Sequence, residues 1–181
     1  MNVMIAFWLT LALLLFWALG AYNRLVRLRG QVKSGFGPVD QRLAQVLALL
    51  TPGLVAEAQE EPADKPAAEP DGLYAAAIQL TQSLRMARKH PLDANAVAAL
   101  KTAFDTMHVA WQRHQADGVG RSDPQASNPL FDQRSWDDHT QLAHEAMETY
   151  NQAVLAYNGA IRQFPALLLA YLFGFRAAQC L

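Results

Sequence analysis

The sequence has few of the residues that build covalent or metal-bound frameworks. Its 181 residues contain one cysteine, Cys180, which excludes a disulfide framework and any zinc or iron–sulfur site built from cysteines. An excess of one charge is also missing, because 15 Lys and Arg stand against 16 Asp and Glu. A near-neutral chain has no basic surplus for a phosphate backbone, so the composition argues against a nucleic-acid partner.

Charge is absent altogether from the first 22 residues, where the hydrophobic residues concentrate. A helix over residues 3–22 would be about 30 Å long, which is the thickness of the hydrocarbon core of a bilayer. We therefore expect residues 1–22 to form a single-pass transmembrane anchor with aromatic residues at the membrane–water boundary. The residues that represent this anchor are Val3, Leu11, Leu15, Trp17 and Tyr22.

A cleaved signal peptide is the competing interpretation, with Ala18-Leu19-Gly20 as its cleavage site. The region lacks a basic start, and its apolar run exceeds the roughly 7–15 residues of a signal peptide, which favours an uncleaved anchor. Basic residues follow the anchor directly, and by the positive-inside rule they place the rest of the chain in the cytoplasm. These topology determinants, which could also contact acidic lipid, are Arg24, Arg27, Arg29 and Lys33.

Beyond the anchor, apolar residues recur at alternating spacings of three and four, which predicts amphipathic helices. The first bundle helix is predicted over residues 23–50 of a segment 23–56, and Pro52-Gly53 ends it. Gly35, Gly37 and Pro38 predict a kink or short break, because proline lacks a backbone donor and clashes with the preceding turn. The inward positions are Val32, Phe36, Val39, Leu43, Val46 and Leu50.

Residues 57–72 differ in composition from the rest of the chain. They contain six acidic residues and three prolines. Such a segment cannot bury enough apolar area to offset the entropy of ordering it, so we interpret it as an acidic linker. An acidic docking segment is the alternative.

Three further helices are predicted within residues 73–181. The second covers residues 73–89, the third follows the N-cap Asp93, and the fourth covers residues 135–163, with a loop at residues 116–128. The inward positions are Tyr74, Ala77, Leu80, Leu84 and Ala87 in the second helix; Val97, Leu100, Phe104, Met107, Trp111 and His114 in the third; and Ala143, Met147, Tyr150, Val154, Tyr157, Ile161 and Phe164 in the fourth.

Together these patterns predict an all-α protein, with an N-terminal transmembrane helix followed by an antiparallel up-and-down four-helix bundle. That topology returns the chain to the membrane face, where residues 164–175 form an uncharged apolar run. The run is too short to span a bilayer, so it either caps the bundle or lies on the membrane surface as a patch for lipid or a partner. The patch residues are Phe164, Leu168, Tyr171, Leu172, Phe173 and Phe175.

Several short motifs stand at the two ends of the chain. Near the start are Tyr22-Asn23-x-Leu25 after an apolar segment, Val39-Asp40, and Leu50-Thr51-Pro52-Gly53-Leu54-Val55. Near the end are Tyr150-Asn151, Tyr157-Asn158, Ile161, Phe164-Pro165 and Leu172-Phe173-Gly174-Phe175. This combination resembles LemA family proteins. The resemblance implies a membrane-tethered antiparallel helical bundle from a bacterial inner membrane, without an established activity. It also implies association with membrane peptidases or with envelope stress.

The middle of the chain departs from the LemA pattern. The acidic linker interrupts what is usually a long second helix, and the paired basic residues expected before the Leu-x-Pro-x-Leu-Val element are missing. Some relatives are lipoproteins with a cysteine after the signal, but here the first cysteine is Cys180.

Histidines and carboxylates on the fourth helix suggest a metal site that the remaining helices do not complete. Asp137, Gln141, His144 and Glu148 share a face, but a ferritin-type site needs further glutamates from other helices, whose inward positions are apolar. His144 begins a zinc-peptidase-like pattern, but Glu148 stands where its second histidine is needed. We therefore expect a solvated helix face, no cofactor and no catalytic residue.

Asn151 and Asn158 lie beside the inward tyrosines Tyr150 and Tyr157, seven residues apart. Buried asparagines at this spacing fix the register of neighbouring helices in coiled coils, so we expect interhelical hydrogen bonds. A peptide-binding role is the alternative.

Three hypotheses follow for the function. The first is a non-enzymatic scaffold or adaptor for a membrane protein. The second is a lipid-surface or envelope-stress module that binds the bilayer through residues 164–175. The third is a metal-dependent enzyme that uses His144 and Glu148.

Overall fold

The computed structural model describes residues 2–60, 72–119 and 133–181, with side chains described at residues 4–50, 72–116 and 133–181. Its helices are α1 (Asn2–Glu60), α2 (Gly72–Lys89), α3 (Ala94–Val119), α4 (Gln133–Ile161) and α5 (Ala166–Phe173). These described ranges contain no β-strand, which confirms the all-α prediction. Part of Met4–Leu50 is long and apolar enough to cross a membrane, and none of that part is buried.

Helix α1 is continuous from the apolar segment through the predicted first bundle helix. Of the kink or short break predicted at Gly35, Gly37 and Pro38, the break is wrong, and so is the predicted end at Pro52-Gly53. Packing explains the continuity at Pro38, because Phe36 and Val39 beside it are buried and the Phe36 ring lies 5.9 Å from that of Tyr150 on α4. Of the predicted linker 57–72, the first four residues are helical and Gly72 begins α2, while residues 61–71 lie outside the described part.

Helices α2 and α3 are joined by a tight turn whose signals the sequence carries. His90 and Asp93 close this turn through a backbone hydrogen bond of 3.0 Å. The Asp93 carboxylate then accepts a hydrogen bond of 3.0 Å from the backbone N–H of Asn95, which confirms it as the N-cap of α3. The predicted loop 116–128 is helical as far as Val119, and its remainder lies outside the described part.

The helices pack in a definite pairwise pattern. Helix α1 packs along α4 and α2, α2 packs along α3, and α5 packs on α1 and α4. Helices α3 and α4 meet through large aromatic side chains, with the Trp111 and Trp136 rings stacked at 4.5 Å. Arg88 near the end of α2 forms a salt bridge with Asp40 of α1, with 2.7 Å between the charged atoms.

The three–four spacing predicts most of the buried positions correctly. All six inward positions of α1 are buried, as are those of α2 except Tyr74 and those of α3 except the half-buried His114. In α4 the prediction is wrong only at Phe164, because the helix ends at Ile161 and Phe164 is exposed.

The α2–α3 turn lies beside the middle of α4, whereas α5 lies beyond the C-terminal end of α4. Pro91 in this turn is level with Tyr150, and Tyr150 in turn contacts Phe36. From Tyr150, α4 continues by about 17 Å to Ile161 with α1 beside it. Residues 175–181, which are not helical, run along this part of α4.

Candidate functional site

Helix α5 presents one small buried face and one large exposed apolar face. Its buried residues are Ala166 and Ala170, and the helix ends at Gly174, whose φ of 68° places it in the left-handed region. The exposed face includes Leu168 at 58%, Tyr171 at 93% and Leu172 at 74% exposure. Short alanines let α5 approach α1 and α4, so α5 packs beside α1 and the end of α4 and still exposes its larger side chains.

Helix α5 and the residues that flank it adjoin the apolar part of α1 through three aromatic contacts. The Trp17 ring lies 5.3 Å from that of Phe164, and the Tyr22 ring lies 5.1 Å from that of Phe173 and 6.1 Å from that of Phe175. Trp17 and Tyr22 are the aromatic residues that the sequence places at the membrane boundary. The two apolar surfaces therefore form one continuous surface.

Of the remaining anchor residues, Leu11 and Leu15 lie on the unburied apolar stretch, and the side chain of Val3 lies outside the described part. The predicted topology determinants diverge around α1. Arg24 donates a hydrogen bond of 3.4 Å to Gln163, and the Arg29 guanidinium lies 5.6 Å from the centre of the Phe175 ring. Arg27 and Lys33 are exposed.

Asn151 and Asn158 hold the C-terminal segment by its backbone. The Asn158 amide donates to the oxygen of Ala178 at 2.8 Å and accepts from its N–H at 2.9 Å. The Asn151 amide makes the same pair with Leu181, at 2.9 Å and 2.8 Å. The prediction of interhelical hydrogen bonds is therefore wrong for both asparagines, because their partners lie in the non-helical C-terminal segment. The peptide-binding alternative stays a prediction.

The spacing of the two asparagines fits an extended peptide. Seven helical residues rise about 10.5 Å, and three residues of extended chain span about 10 Å. Asn158 and Asn151 can therefore pair with Ala178 and Leu181, three residues apart, in an antiparallel direction.

The tyrosines complete this clamp, which we define as Tyr150, Asn151, Tyr157 and Asn158. The Tyr157 hydroxyl donates to the carbonyl of Arg176 at 3.0 Å, and the Tyr150 hydroxyl approaches the carbonyls of Pro91 at 3.0 Å and Gln179 at 3.4 Å. Burial, with a smaller contribution from Cys180, raises the pKa of Tyr150 to about 12. Burial also raises the pKa of Tyr157, and the charge of Arg29 opposes that rise.

The histidine face of α4 is engaged in local contacts. The Nδ1 atom of His144 lies 2.8 Å from the carbonyl of Thr140, and its ring packs edge-on against Phe104 at 5.3 Å. Asp137, Gln141 and Glu148 line a shallow surface beside it. Within the described ranges, no group of three or more His, Cys, Asp or Glu residues is arranged to hold a metal ion.

Sequence reasoning finds the clamp residues but not the segment that they bind. Residues 175–181 carry no periodic pattern, and their partners lie 19 to 30 residues away in the sequence. The Tyr-Asn pair occurs twice, seven residues apart. This repeat is the one signal that could have indicated binding to the backbone of an extended peptide.

No protein-family model, curated protein or solved structure matches this chain. The resemblance to LemA proteins therefore stays a prediction based on the residues quoted above.

Proposed function

We propose that this protein is a LemA-like, non-enzymatic scaffold or adaptor that acts on a membrane protein. In this proposal residues 1–22 cross a bacterial inner membrane once, and an antiparallel up-and-down four-helix bundle stands in the cytoplasm. By family resemblance, a membrane peptidase is the class of partner.

The observation that carries the proposal is the continuity of α1. The unburied apolar stretch and the buried bundle positions from Val32 to Leu50 belong to one uninterrupted helix. A helix transmits orientation where a flexible linker does not, so the bundle is held at a fixed angle to the anchor. A scaffold for a membrane-embedded partner requires that its bundle be held in a fixed orientation relative to the membrane.

Crosslinking in native membranes, followed by purification of the full chain, tests the scaffold. We expect one membrane protein to co-purify with the wild type. A matched variant carries a six-residue Gly-Ser insertion after Asn23, which keeps the anchor and the bundle but uncouples them. This variant should stay in the membrane fraction and lose the crosslink. Recovery of the wild type only as a free monomer would refute the scaffold.

A second candidate function is binding to the lipid surface through α5, and the exposed leucines beside the anchor favour it. Burying one leucine side chain in the bilayer contributes about 1.5–3 kcal/mol, so α5 can add substantially to membrane affinity.

Liposome flotation of a variant lacking residues 1–22 tests this second function. The Leu168→Asp, Leu172→Asp double substitution should abolish binding. Leu155→Asp is the matched control, because Leu155 is a leucine on α4 with 63% exposure, away from α5. If the parent variant never binds liposomes, or if both substitutions act alike, the lipid-surface function is wrong.

A further inference from the structure

A cleft of about 340 Å³ opens between α1, the α2–α3 turn, α4 and the C-terminal segment. Its basic lining residues come from three separate parts of the chain. Arg29 and Lys33 lie one turn apart on α1, Lys89 ends α2, and Arg176 belongs to the C-terminal segment. His90 adds an imidazole from the turn. Of the four topology determinants predicted from the sequence, only Arg29 and Lys33 line this cleft.

The cleft carries little compensating negative charge. Asp93 is the acidic residue in its lining, and its carboxylate caps α3 by accepting from the N–H of Asn95. The salt bridge between Arg88 and Asp40 lies outside the cleft, since neither residue lines it.

Two of the cations have their positions restricted before any ligand arrives, one at its backbone and one at its charged group. The Tyr157 hydroxyl fixes the backbone carbonyl of Arg176, and Asn158 fixes the backbone of Ala178 two residues further on. The Arg29 guanidinium lies 5.6 Å from the centre of the Phe175 ring, within the range of a cation–π contact. Such preorganisation lowers the entropic cost of binding, which separates a site from a diffuse basic surface.

The cleft begins just beyond the layer of lipid headgroups if Tyr22 marks the boundary of the hydrocarbon core, and the Arg29 side chain can reach back toward that layer. Arg29 follows Tyr22 by about 10 Å along α1. Helical side chains lean toward the helix N-terminus, so Arg29 and Lys33 lean back toward the bilayer. The headgroup layer occupies roughly 5–8 Å on each side of the core. Gly174 in the cleft wall directly follows α5, which adjoins the anchor.

We propose that this cleft binds a phosphate group through Arg29, Lys33, Lys89 and Arg176. Two guanidinium groups can each donate a pair of hydrogen bonds to phosphate oxygens, and two ammonium groups supply point charges. An anionic phospholipid headgroup or free phosphate would present this chemistry. The lipid source rests on the proposed membrane anchoring, whereas binding of free phosphate does not.

The test uses the full chain in neutral detergent micelles and measures binding by isothermal titration calorimetry. One arm titrates inorganic phosphate, and the other titrates short-chain phosphatidic acid, with short-chain phosphatidylcholine as the uncharged reference. The cleft variant is Arg29→Gln with Arg176→Gln. The control is Lys101→Gln with Arg113→Gln, which removes the same charge from α3.

The cleft variant should bind phosphatidic acid roughly 30-fold more weakly, from about fivefold for each lost cation. The control should bind as the wild type does, and Arg29→Lys with Arg176→Lys should retain most of the affinity. If only phosphatidic acid binds in this pattern, the ligand is a lipid headgroup; if inorganic phosphate follows it too, free phosphate is also a ligand.

Equal weakening in the cleft and control variants would mean that diffuse charge binds the phosphate, and it would overturn the proposal. So would failure of the wild type to bind either probe. Circular dichroism checks that each variant is folded. The crosslinking experiment reads out the scaffold independently, so the two proposals can fail separately.

Discussion

The clamp makes a sharp prediction about Asn158→Ala. This change removes two hydrogen bonds, of 2.8 Å and 2.9 Å, between the Asn158 amide and the backbone of Ala178. A hydrogen bond contributes a net 0.5–1.5 kcal/mol, so the pair contributes about 1–3 kcal/mol to docking of the C-terminal segment. Because the released segment can bond to water, we expect this loss to act on local opening rather than on unfolding of the helices.

Hydrogen exchange of the full chain in lipid nanodiscs measures that opening. The amide of Ala178 should exchange roughly 5- to 150-fold faster in Asn158→Ala than in the wild type, the rate change that corresponds to 1–3 kcal/mol. Amides in the buried half of α4 should keep their protection. Gln152→Ala is the matched control, because Gln152 is an exposed amide on the same helix.

Unchanged exchange at Ala178 in Asn158→Ala would refute the clamp, and so would an equal acceleration in Gln152→Ala. Asn151→Ala should act on the amide of Leu181 in the same way, because that N–H donates to Asn151 at 2.8 Å.

Three further predictions concern stability. Tyrosine has a pKa of about 10 in an unfolded chain, and burial raises that of Tyr150 to about 12, so the folded state keeps its proton longer. The urea midpoint should therefore fall as the pH rises from about 10 to 12, and less steeply in Tyr150→Phe. A Cβ on Gly35 would lie 3.8 Å from the Cα of Tyr150, an ordinary contact, so Gly35→Ala should be tolerated in thermal denaturation. Gly35→Leu should cost about 1–3 kcal/mol by forcing α1 and α4 apart. Arg88→Ala should change the free energy of unfolding by less than about 1 kcal/mol, because its salt bridge with Asp40 is largely exposed.

Periodicity was a sufficient guide to the helices and their buried faces. A helical stripe is a local property of the sequence, and packing of the stripe is what stabilises the helix, so the pattern and the structure agree from Val32 to Leu50. The same physics explains why the helix is not broken at Pro38. Proline costs a helix about 3 kcal/mol, but the buried contacts of Phe36 and Val39 on either side stabilise the helix by a comparable amount.

The cleft and the partner of the clamp could not be predicted in this way. An extended segment that bonds through its backbone leaves no side-chain signature, so nothing in residues 175–181 identifies Asn151 and Asn158 as its partners. The cleft likewise assembles Arg29, Lys89 and Arg176 through tertiary packing. The sequence does not indicate which other basic residues will lie near a given basic residue in the folded chain.

Depth measurement by spin labelling tests the central claim that α1 crosses a bilayer with α5 at its surface. In a Cys180→Ser background of the full chain, single cysteines at Leu15, Leu172 and Gln152 carry the label in nanodiscs. The account predicts high oxygen accessibility and no contact with a water-soluble nickel complex at Leu15, interfacial depth at Leu172, and full nickel accessibility at Gln152. A label at Leu15 as accessible to nickel as the one at Gln152 would contradict the account.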